Sequence, residues 1–532
     1  MKIILIAPQV TRPLNFDHNR LRVSPFFPLG IACLSAVLIE AGYEVEVRDY
    51  LINYFTEEGT PYGASRIRYG ASDGHIVEDL RASQADVVGI SCLFAAQEYD
   101  AKLLCQLARE ALPNAFVVMG GPHAGASALE FMRDISELDG VIEGEGEIST
   151  RELFRALEGD KDLSKIDGLT WRSKDGGIVR QRKTQYIENL DALPMPARYL
   201  FDMKLYFEKG KGHNVPDVEP CAQVVTSRGC PYRCTFCALG NHWGKRQRLR
   251  SAKHVLEEIR LLVDEYGVKE IHFEDDNLTA NKERALEIFR GMRDAQWDLQ
   301  WNAPSGLSVA KLDEELLVAM KDSGCYSVSL AIESGDQDVL SNLMRKPVNL
   351  EKVPETVRLV RKCGLLAKGF FILGYPGETK ETMQKTVDFA RSLELDWAFF
   401  FIATPLPHTE MWNMCVEKGY FDPADFDPVT SILRCQIHSP DFTPEEVEEL
   451  REKAIIDCNF VYNPNLLKYD VNQAIKDFKG VLKTYPNFDF AHLALGKAYS
   501  RLGLKKESLD SWREAVRINP DNQEALRLLK KT

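Results

Sequence analysis

Three cysteines, Cys230, Cys234 and Cys237, fall within eight residues of the stretch Thr226-Ser-Arg-Gly-Cys-Pro-Tyr-Arg-Cys-Thr-Phe-Cys237. Their i, i+4, i+7 spacing could line one face of a buried helix. Gly229 and Pro231 argue against that, since glycine costs backbone entropy in a helix and proline brings no N–H to its hydrogen bonds. A loop is the better reading, and a loop can turn three thiolates toward one point. Zinc sites usually take four ligands, and no fourth Cys or His stands at finger spacing. Iron–sulfur clusters are held by thiolates, and three from the chain would leave one iron open to another ligand. The residues alone leave three readings: a cluster, a zinc site, or a structural knot of cysteines.

The elements around this stretch alternate. Residues 223–226, 270–273, 300–303, 327–332, 367–373 and 397–402 are short apolar or β-branched runs that predict strands. Between them, 252–265, 282–294, 313–323, 350–363 and 380–392 carry helical periodicity. Six such units over 213–408 predict a partial, open (β/α)6 barrel, whose functional residues stand at the C-terminal ends of the strands. Polar or glycine-rich signals fall at those ends: Glu274-Asp-Asp-Asn277, Glu333-Ser-Gly335, Gly374-Tyr-Pro-Gly-Glu378 and Phe399-Phe-Phe-Ile-Ala-Thr-Pro-Leu-Pro-His408. Each has a plainer reading beside it. An acidic cluster after a strand is often a helix N-cap, and Pro-Gly is a turn signal by itself.

Residues 1–158 alternate in the same way. Strands are expected at 2–8, 44–50, 86–94, 115–120 and 140–143, with helices at 31–41 and 98–112 and Gly42 as a C-cap. This α/β pattern predicts a parallel, doubly wound sheet of flavodoxin-like (Rossmann-like) type that binds ligands at its strand C-termini. Small residues there, including Ser91, Gly120, Gly121 and Gly144, let a large ligand approach the backbone. Residues 159–212 read as a linker with a small hairpin around Lys174-Asp-Gly-Gly177 and a proline-stiffened run at 193–198. Residues 409–462 read as a helical extension over the barrel's open side, with Thr443-Pro-Glu-Glu446 as a capped helix start. Residues 463–532 repeat with a period of 34, pairing Ala474 with Ser508, Phe478 with Trp512 and Leu482 with Val516.

At 532 residues the chain exceeds one hydrophobic core. Its net charge of −13 argues against general nucleic-acid binding. The basic run Lys245-Arg-Gln-Arg-Leu-Arg250 reads either as a solvated face or as a site for an anionic substrate. The other nine of the twelve cysteines are scattered, Cys33, Cys92 and Cys105 among them, and read as core packing rather than as disulfides or a second cluster. The opening Met1-Lys-Ile-Ile-Leu-Ile-Ala7 is too short for a signal peptide, and no run reaches spanning length, so a reduced, cytoplasmic protein is expected.

The C-x-x-x-C-x-x-C loop with Phe236 before its last cysteine resembles the signature of the radical S-adenosylmethionine (SAM) superfamily. That resemblance implies a 4Fe-4S cluster on Cys230, Cys234 and Cys237 whose open iron chelates SAM, and reductive SAM cleavage to a 5′-deoxyadenosyl radical. It further implies SAM contacts from Glu274 and Asp275 to the amino group, from Glu333 and Ser334 to the ribose or methionine, and from Gly374, Pro376 and Gly377 on the adenine side. Pro28-Leu-Gly-Ile-Ala-Cys-Leu34, Gly42-Tyr-Glu-Val45 and Gly120-Gly-Pro-His123 resemble the cobalamin-binding domain of one large branch, which implies cobalamin beside Ser91, Gly120, Gly121 and Gly144. The Asp-x-His-x-x-Gly motif of many such domains is missing, because Asp17-His18-Asn19 is contiguous. Cobalt would then lack that histidine on its lower face, with His123 a tempting substitute. The alternative is a domain that kept the fold and lost the cofactor. The 34-residue period resembles tetratricopeptide repeats, which imply a protein partner or a packing appendage.

The expected function is radical SAM catalysis, as cobalamin-dependent methylation of an unreactive carbon in a small-molecule, natural-product or lipid substrate. An electron donor such as flavodoxin or ferredoxin would feed it. Neither the substrate nor a catalytic residue beyond the cofactor ligands is legible. A cobalamin-linked cyclase or oxidoreductase without methyl transfer is the alternative. Methylthiotransfer fits less well, because that family's N-terminal domain carries its own three-cysteine cluster. A different class, a repeat-bearing scaffold or sensor with a vestigial SAM site, is the third reading.

Overall fold

The computed structural model describes residues 1–14, 23–159, 162–210, 218–431 and 433–531. The Asp17-His18-Asn19 segment lies outside the described residues. The N-terminal unit is a seven-stranded sheet. Its parallel strands run Glu44–Asp49, Lys2–Ala7, Val87–Ser91, Phe116–Gly120, Gly140–Ile142 across the sheet. The order reverses between the first strand and Val87–Ser91, and a crevice opens at the C-terminal ends there. The first strand reads as an unbroken apolar run because it is covered on both faces. Ile4 and Ile6 belong to one core cluster and Ile3 and Leu5 to the other, all nearly fully buried.

Two features differ from the sequence expectation. The hairpin at 169–180 is not part of a free-standing linker. Its strands Leu169–Arg172 and Ile178–Arg180 extend the N-terminal sheet antiparallel to Gly140–Ile142, and Leu169 and Trp171 are buried in that sheet's core. A second, small antiparallel sheet forms from Val10–Pro13, Thr60–Tyr62 and Arg66–Tyr69. Its strands are too short and too polar to announce themselves by periodicity. Tertiary burial of Val10, Leu51 and Tyr69 in one cluster holds it.

The second unit contains six parallel strands in sequential order: Cys221–Val224, Glu270–Phe273, Gln300–Asn302, Ser327–Glu333, Leu366–Leu373 and Trp397–Ile402. They form two three-stranded sheets joined by parallel bridges, Trp301 to Cys325 and Leu307 to Leu330. The result is one open arc. Helices Ala252–Tyr266, Lys282–Asp294, Glu314–Asp322, Val353–Lys362 and Lys380–Ser392 cover its outer side. Four of them start on side-chain caps, Ser251, Asn281, Asp313 and Thr379, each contributing about 1 kcal/mol.

An arc has two edges. At Trp397–Ile402, the side-chain amide of Asn459 accepts from the Ala398 N–H and donates to the Ala398 carbonyl, both at 2.8 Å. It satisfies the strand's backbone groups as a neighbouring strand would. Beyond it, helices Val471–Thr484, Asp489–Arg501, Lys505–Ile518 and Gln523–Lys531 stack in succession. Phe478 and Phe488 pack on Phe460 and so join that stack to the barrel's flank. Among the described residues no helix is long and apolar enough to cross a membrane.

Candidate functional site

The strand Cys221–Val224 runs into a loop that is closed at its base by a two-residue antiparallel pairing of Ser227–Arg228 with Arg248–Leu249. Gly229 turns the chain at φ +84°, and a Cβ there would stand 2.7 Å from the Arg246 carbonyl oxygen. Only glycine fits that turn. The loop is then pinned from its neighbours. The buried Asp275 carboxylate accepts from the Thr226 N–H at 3.0 Å, the Thr226 hydroxyl at 2.7 Å and the Ser227 hydroxyl at 2.5 Å. Asp276 accepts from the Gly229 N–H at 3.1 Å. Thr235 donates its N–H to the Met344 carbonyl at 3.1 Å, and its hydroxyl lies 2.8 Å from the Leu343 carbonyl and 2.5 Å from the Tyr375 hydroxyl.

All twelve cysteines are free thiols, and the three of the loop are half-buried. Burial pushes the Cys237 thiol up to about 11, and the charges of Cys234 and Cys230 act in the same direction. Burial also raises Cys234, opposed by the Lys346 ammonium. Thiols that feel one another this way share one site. Tetrahedral zinc holds sulfurs about 3.8 Å apart. Among the described residues the one His/Cys/Asp/Glu group whose donors all lie within 4.8 Å of one another is Cys221, Glu270 and His272. The three loop sulfurs do not meet that spacing together, and a multi-iron cluster, in which three thiolates each bind a different iron, accommodates a wider separation.

Cys237 and Phe236 form part of the wall of a cavity of about 850 Å³ that both units line. From the N-terminal sheet come Leu93, Phe94, Gln97, Pro122, His123 and Ala126, and from the barrel Glu333, Phe370, Ile372, Tyr375 and Phe401. Gly121, at φ +108°, carries the turn that presents Pro122 and His123, and a Cβ there would meet the Cys92 carbonyl at 2.6 Å. A large apolar chamber at the sheet's switch point, opening onto the cysteine loop, fits a planar macrocycle better than a small polar ligand. His123 Nε2 is bonded to Glu98 at 2.9 Å, and Glu98 also pairs with Lys102 at 2.8 Å. Burial would raise the Glu98 carboxyl, but His123 and Lys102 outweigh it and hold it down at about 2. One imidazole nitrogen of His123 is thus already committed within the protein.

The structure sorts the residues expected from sequence. Glu333 faces the cavity at φ +73°, where the strand register shifts, and pairs with Lys346 at 2.9 Å. Burial lowers the Lys346 ammonium's pKa, and Glu333 and Cys234 outweigh that and raise it. Neither Asp275, whose carboxylate holds the loop, nor Glu274, directly after the strand, is among the residues that line the cavity. Ser334 also differs from expectation. It is fully buried, lies 3.1 Å from the Thr386 hydroxyl and accepts from the Asp336 N–H, so it seats helix Lys380–Ser392. In the Gly374-Tyr-Pro-Gly turn the residue that reaches the cavity is Tyr375. Gly374 packs on Val447, Gly377 on Leu343, and Pro376 is buried. Burial pushes the Glu378 carboxyl up to about 8 while it accepts from the Tyr375 N–H at 2.8 Å. Ser91 and Gly120 end their strands one or two residues short of the cavity lining, and Gly144 packs under Lys183 and the His242 carbonyl.

Sequence reasoning missed what joins the two units. Glu145 accepts from Arg228 at 2.8 Å and from Arg248 at 2.6 Å, and Glu147 accepts from Arg228 at 2.5 Å, all buried. His408, at φ +65°, lies 3.2 Å from the Ser127 hydroxyl, and its carbonyl accepts from Asn241 at 3.1 Å. The basic run 245–250 is therefore neither a solvated face nor an anion site throughout. Arg246 is exposed, but Arg248 pairs with Glu145, and Arg250 pairs with Glu258 at 2.5 Å in the interior.

Comparison with known proteins agrees with this geometry. The Radical SAM superfamily matches residues 224–390 and the B12 binding domain residues 22–154. A cytidylyl-2-hydroxyethylphosphonate methyltransferase of Streptomyces wedmorensis is 34% identical over 86% of this chain and 90% of its own length. An uncharacterized methyltransferase of Pyrococcus horikoshii is 33% identical over 91% of this chain and 99% of its own. The structure of the radical SAM methyltransferase TsrM from Kitasatospora setae, with cobalamin and a [4Fe-4S] cluster bound, has a similar fold. Its TM-score is 0.65 at 19% identity, over 86% of this chain and 88% of that one.

Proposed function

Because the chain belongs to the radical SAM superfamily and carries that superfamily's B12 binding domain ahead of the radical SAM domain, we propose that it is a cobalamin-dependent radical SAM methyltransferase acting on an unreactive carbon. The observation that carries this reading is the shared cavity, which has the cysteine loop on one wall and the cobalamin-side turns on another. The bound groups supply one-electron cleavage of SAM and carriage of a methyl group. The chain binds, orients and shields them. Cys230, Cys234 and Cys237 would hold the cluster. Glu333 at the end of the fourth strand and its partner Lys346, both acting on Cys234, would hold the charged methionine end of SAM, with Glu274 as a further contact. Tyr375, tied through its hydroxyl to Thr235, positions the loop relative to the adenine-side turn. The turns after Ser91 and Gly120 would carry cobalamin on Leu93, Phe94 and Pro122, and Phe370 and Phe401 exclude water from the reacting space.

Around this core, the N-terminal unit corresponds to a flavodoxin-like cobalamin domain, 213–408 to a partial (β/α)6 radical SAM barrel and 463–532 to tetratricopeptide-like helix pairs. The last reading is supported by the successive stacking of four helices. A small reduced carrier such as flavodoxin or ferredoxin would deliver the electron. Twelve free thiols suit a reducing, cytoplasmic setting.

Lys346→Met should raise the KM for SAM about ten- to a hundredfold while the cluster's iron content stays unchanged, since a hydrogen bond to a charged group contributes about 1.5–3 kcal/mol. Steady-state 5′-deoxyadenosine formation against SAM concentration measures it. The function itself is tested by turnover with SAM deuterated in its methyl group and candidate natural-product or lipid substrates. A product carrying the labelled methyl supports the proposal. A product of unchanged carbon count, cyclised or oxidised, overturns it in favour of the cyclase reading.

A further inference from the structure

At the opposite end of the barrel from the cysteine loop, the register of the first three strands gathers a second donor set. Cys221 pairs with Glu270, and His272 pairs with Asn302. Ala222, Val224, Ile271, Phe273 and Trp301 point into the outer core under the helices. Cys221, Glu270, His272 and Asn302 alternate with them and so share the inner face of adjacent strands. One donor atom from each of Cys221, Glu270 and His272 lies within 4.8 Å of the others.

The interior around this set is incompletely satisfied. His272 is 1% exposed, and its Nε2 is bonded to Glu270 Oε1 at 2.8 Å, but its Nδ1 has no hydrogen-bond partner. Asn302, 5% exposed, likewise has an unpartnered Oδ1. Glu270 is in turn held by the Tyr326 hydroxyl at 2.8 Å and the Val218 N–H at 2.8 Å. An imidazole that gives one nitrogen to a carboxylate and keeps the other unpartnered is the arrangement found behind metal-bound histidines. A buried orphan nitrogen needs an explanation of this kind.

We propose that Cys221, Glu270 and His272 bind a single zinc-like divalent cation, with the Asn302 carbonyl oxygen or a water completing a tetrahedron. Sulfur, imidazole and carboxylate donors together suit zinc rather than magnesium or calcium. Drawing donors from within 4.8 Å to tetrahedral spacing asks for shifts of about 1 Å. The cation is structural. It clamps Cys221–Val224, a four-residue strand at the free edge of the arc, to the strands beside it, and that same strand leads directly into the cysteine loop.

The test uses the cluster-loaded full chain, incubated with zinc chloride, desalted and analysed for zinc and iron. About one zinc per chain is expected, over unchanged cluster iron, and Cys221→Ala and His272→Gln should each lose that zinc while keeping the iron. Zinc K-edge absorption of the unaltered chain gives an answer that does not depend on a variant folding. One sulfur among nitrogen and oxygen scatterers is expected. Retention no greater than in the two variants, or zinc surrounded by three sulfurs, overturns the assignment.

Discussion

Cys230→Ala, Cys234→Ala and Cys237→Ala should each abolish SAM cleavage, reducing 5′-deoxyadenosine to background in anaerobic assays and removing the cluster's visible absorption. In a cluster held by three thiolates each sulfur anchors a different iron, and two thiolates cannot hold the fourth corner open for SAM in a fixed place. The loop should keep its course without the metal. Asp275, Asp276 and Thr235 bind its backbone and hydroxyl groups independently of the sulfurs, and Gly229 sets its turn. Thermal unfolding of the variants should therefore stay close to that of the parent chain in its cluster-free form. Cys92→Ala serves as the control. Cys92 is fully buried in the N-terminal core, where burial raises its thiol, so this substitution should lower stability and leave SAM cleavage intact.

The second large effect is expected at Glu145. Replacing it with alanine leaves Arg248 without its carboxylate and Arg228 with Glu147 alone, in a junction where all three partners are buried. Removing one member of a buried ion pair costs about 3–5 kcal/mol, because the desolvated charge left behind has no compensation. The loss should appear as a lower unfolding midpoint and faster proteolysis between the two units. Arg228 immediately precedes Gly229 and Cys230, so cobalamin retention and SAM cleavage should weaken together. Glu145→Leu combined with Arg248→Met should recover part of the stability, since two matched apolar groups remove the uncompensated charge. A double variant no more stable than Glu145→Ala would contradict this account of the junction.

The two substitutions also mark how far the sequence could be read. The cysteine loop was legible because its chemistry is local: three soft ligands, a glycine and a proline lie within a few residues. The strand–helix alternation was legible for the same reason, since each strand's apolar run depends on burial of that strand alone. Neither condition holds at the junction. Glu145 and Arg248 are about a hundred positions apart, and each reads as an ordinary surface charge until the fold buries both. The hairpin at 169–180 was seen, but its attachment to the edge of the N-terminal sheet was not, because strand pairing across a sheet edge leaves no periodic mark. The site residues show the same dependence on tertiary contacts. Ser334 and Asp275 stand where functional groups were expected, yet their side chains turn into the protein and hold it together. Tyr375 reaches the cavity from within a turn read for its glycines and proline, and Lys346 pairs with the cavity-lining Glu333 from a position that carried no signal of its own.

The Cys221 cluster illustrates the converse. Cys221 stands about fifty residues before Glu270 and His272, and only the parallel register brings the three to one face. Cysteine there reads from sequence as core packing.

The most direct test of the two-cofactor site is a single measurement on protein reconstituted anaerobically with iron, sulfide and hydroxocobalamin, desalted, and incubated with SAM and a reductant. The account predicts about one cobalamin retained per chain beside the cluster, together with 5′-deoxyadenosine formation that depends on Cys230, Cys234 and Cys237. Protein that passes through desalting with its iron but without cobalamin, or that retains both and forms no 5′-deoxyadenosine, would contradict it.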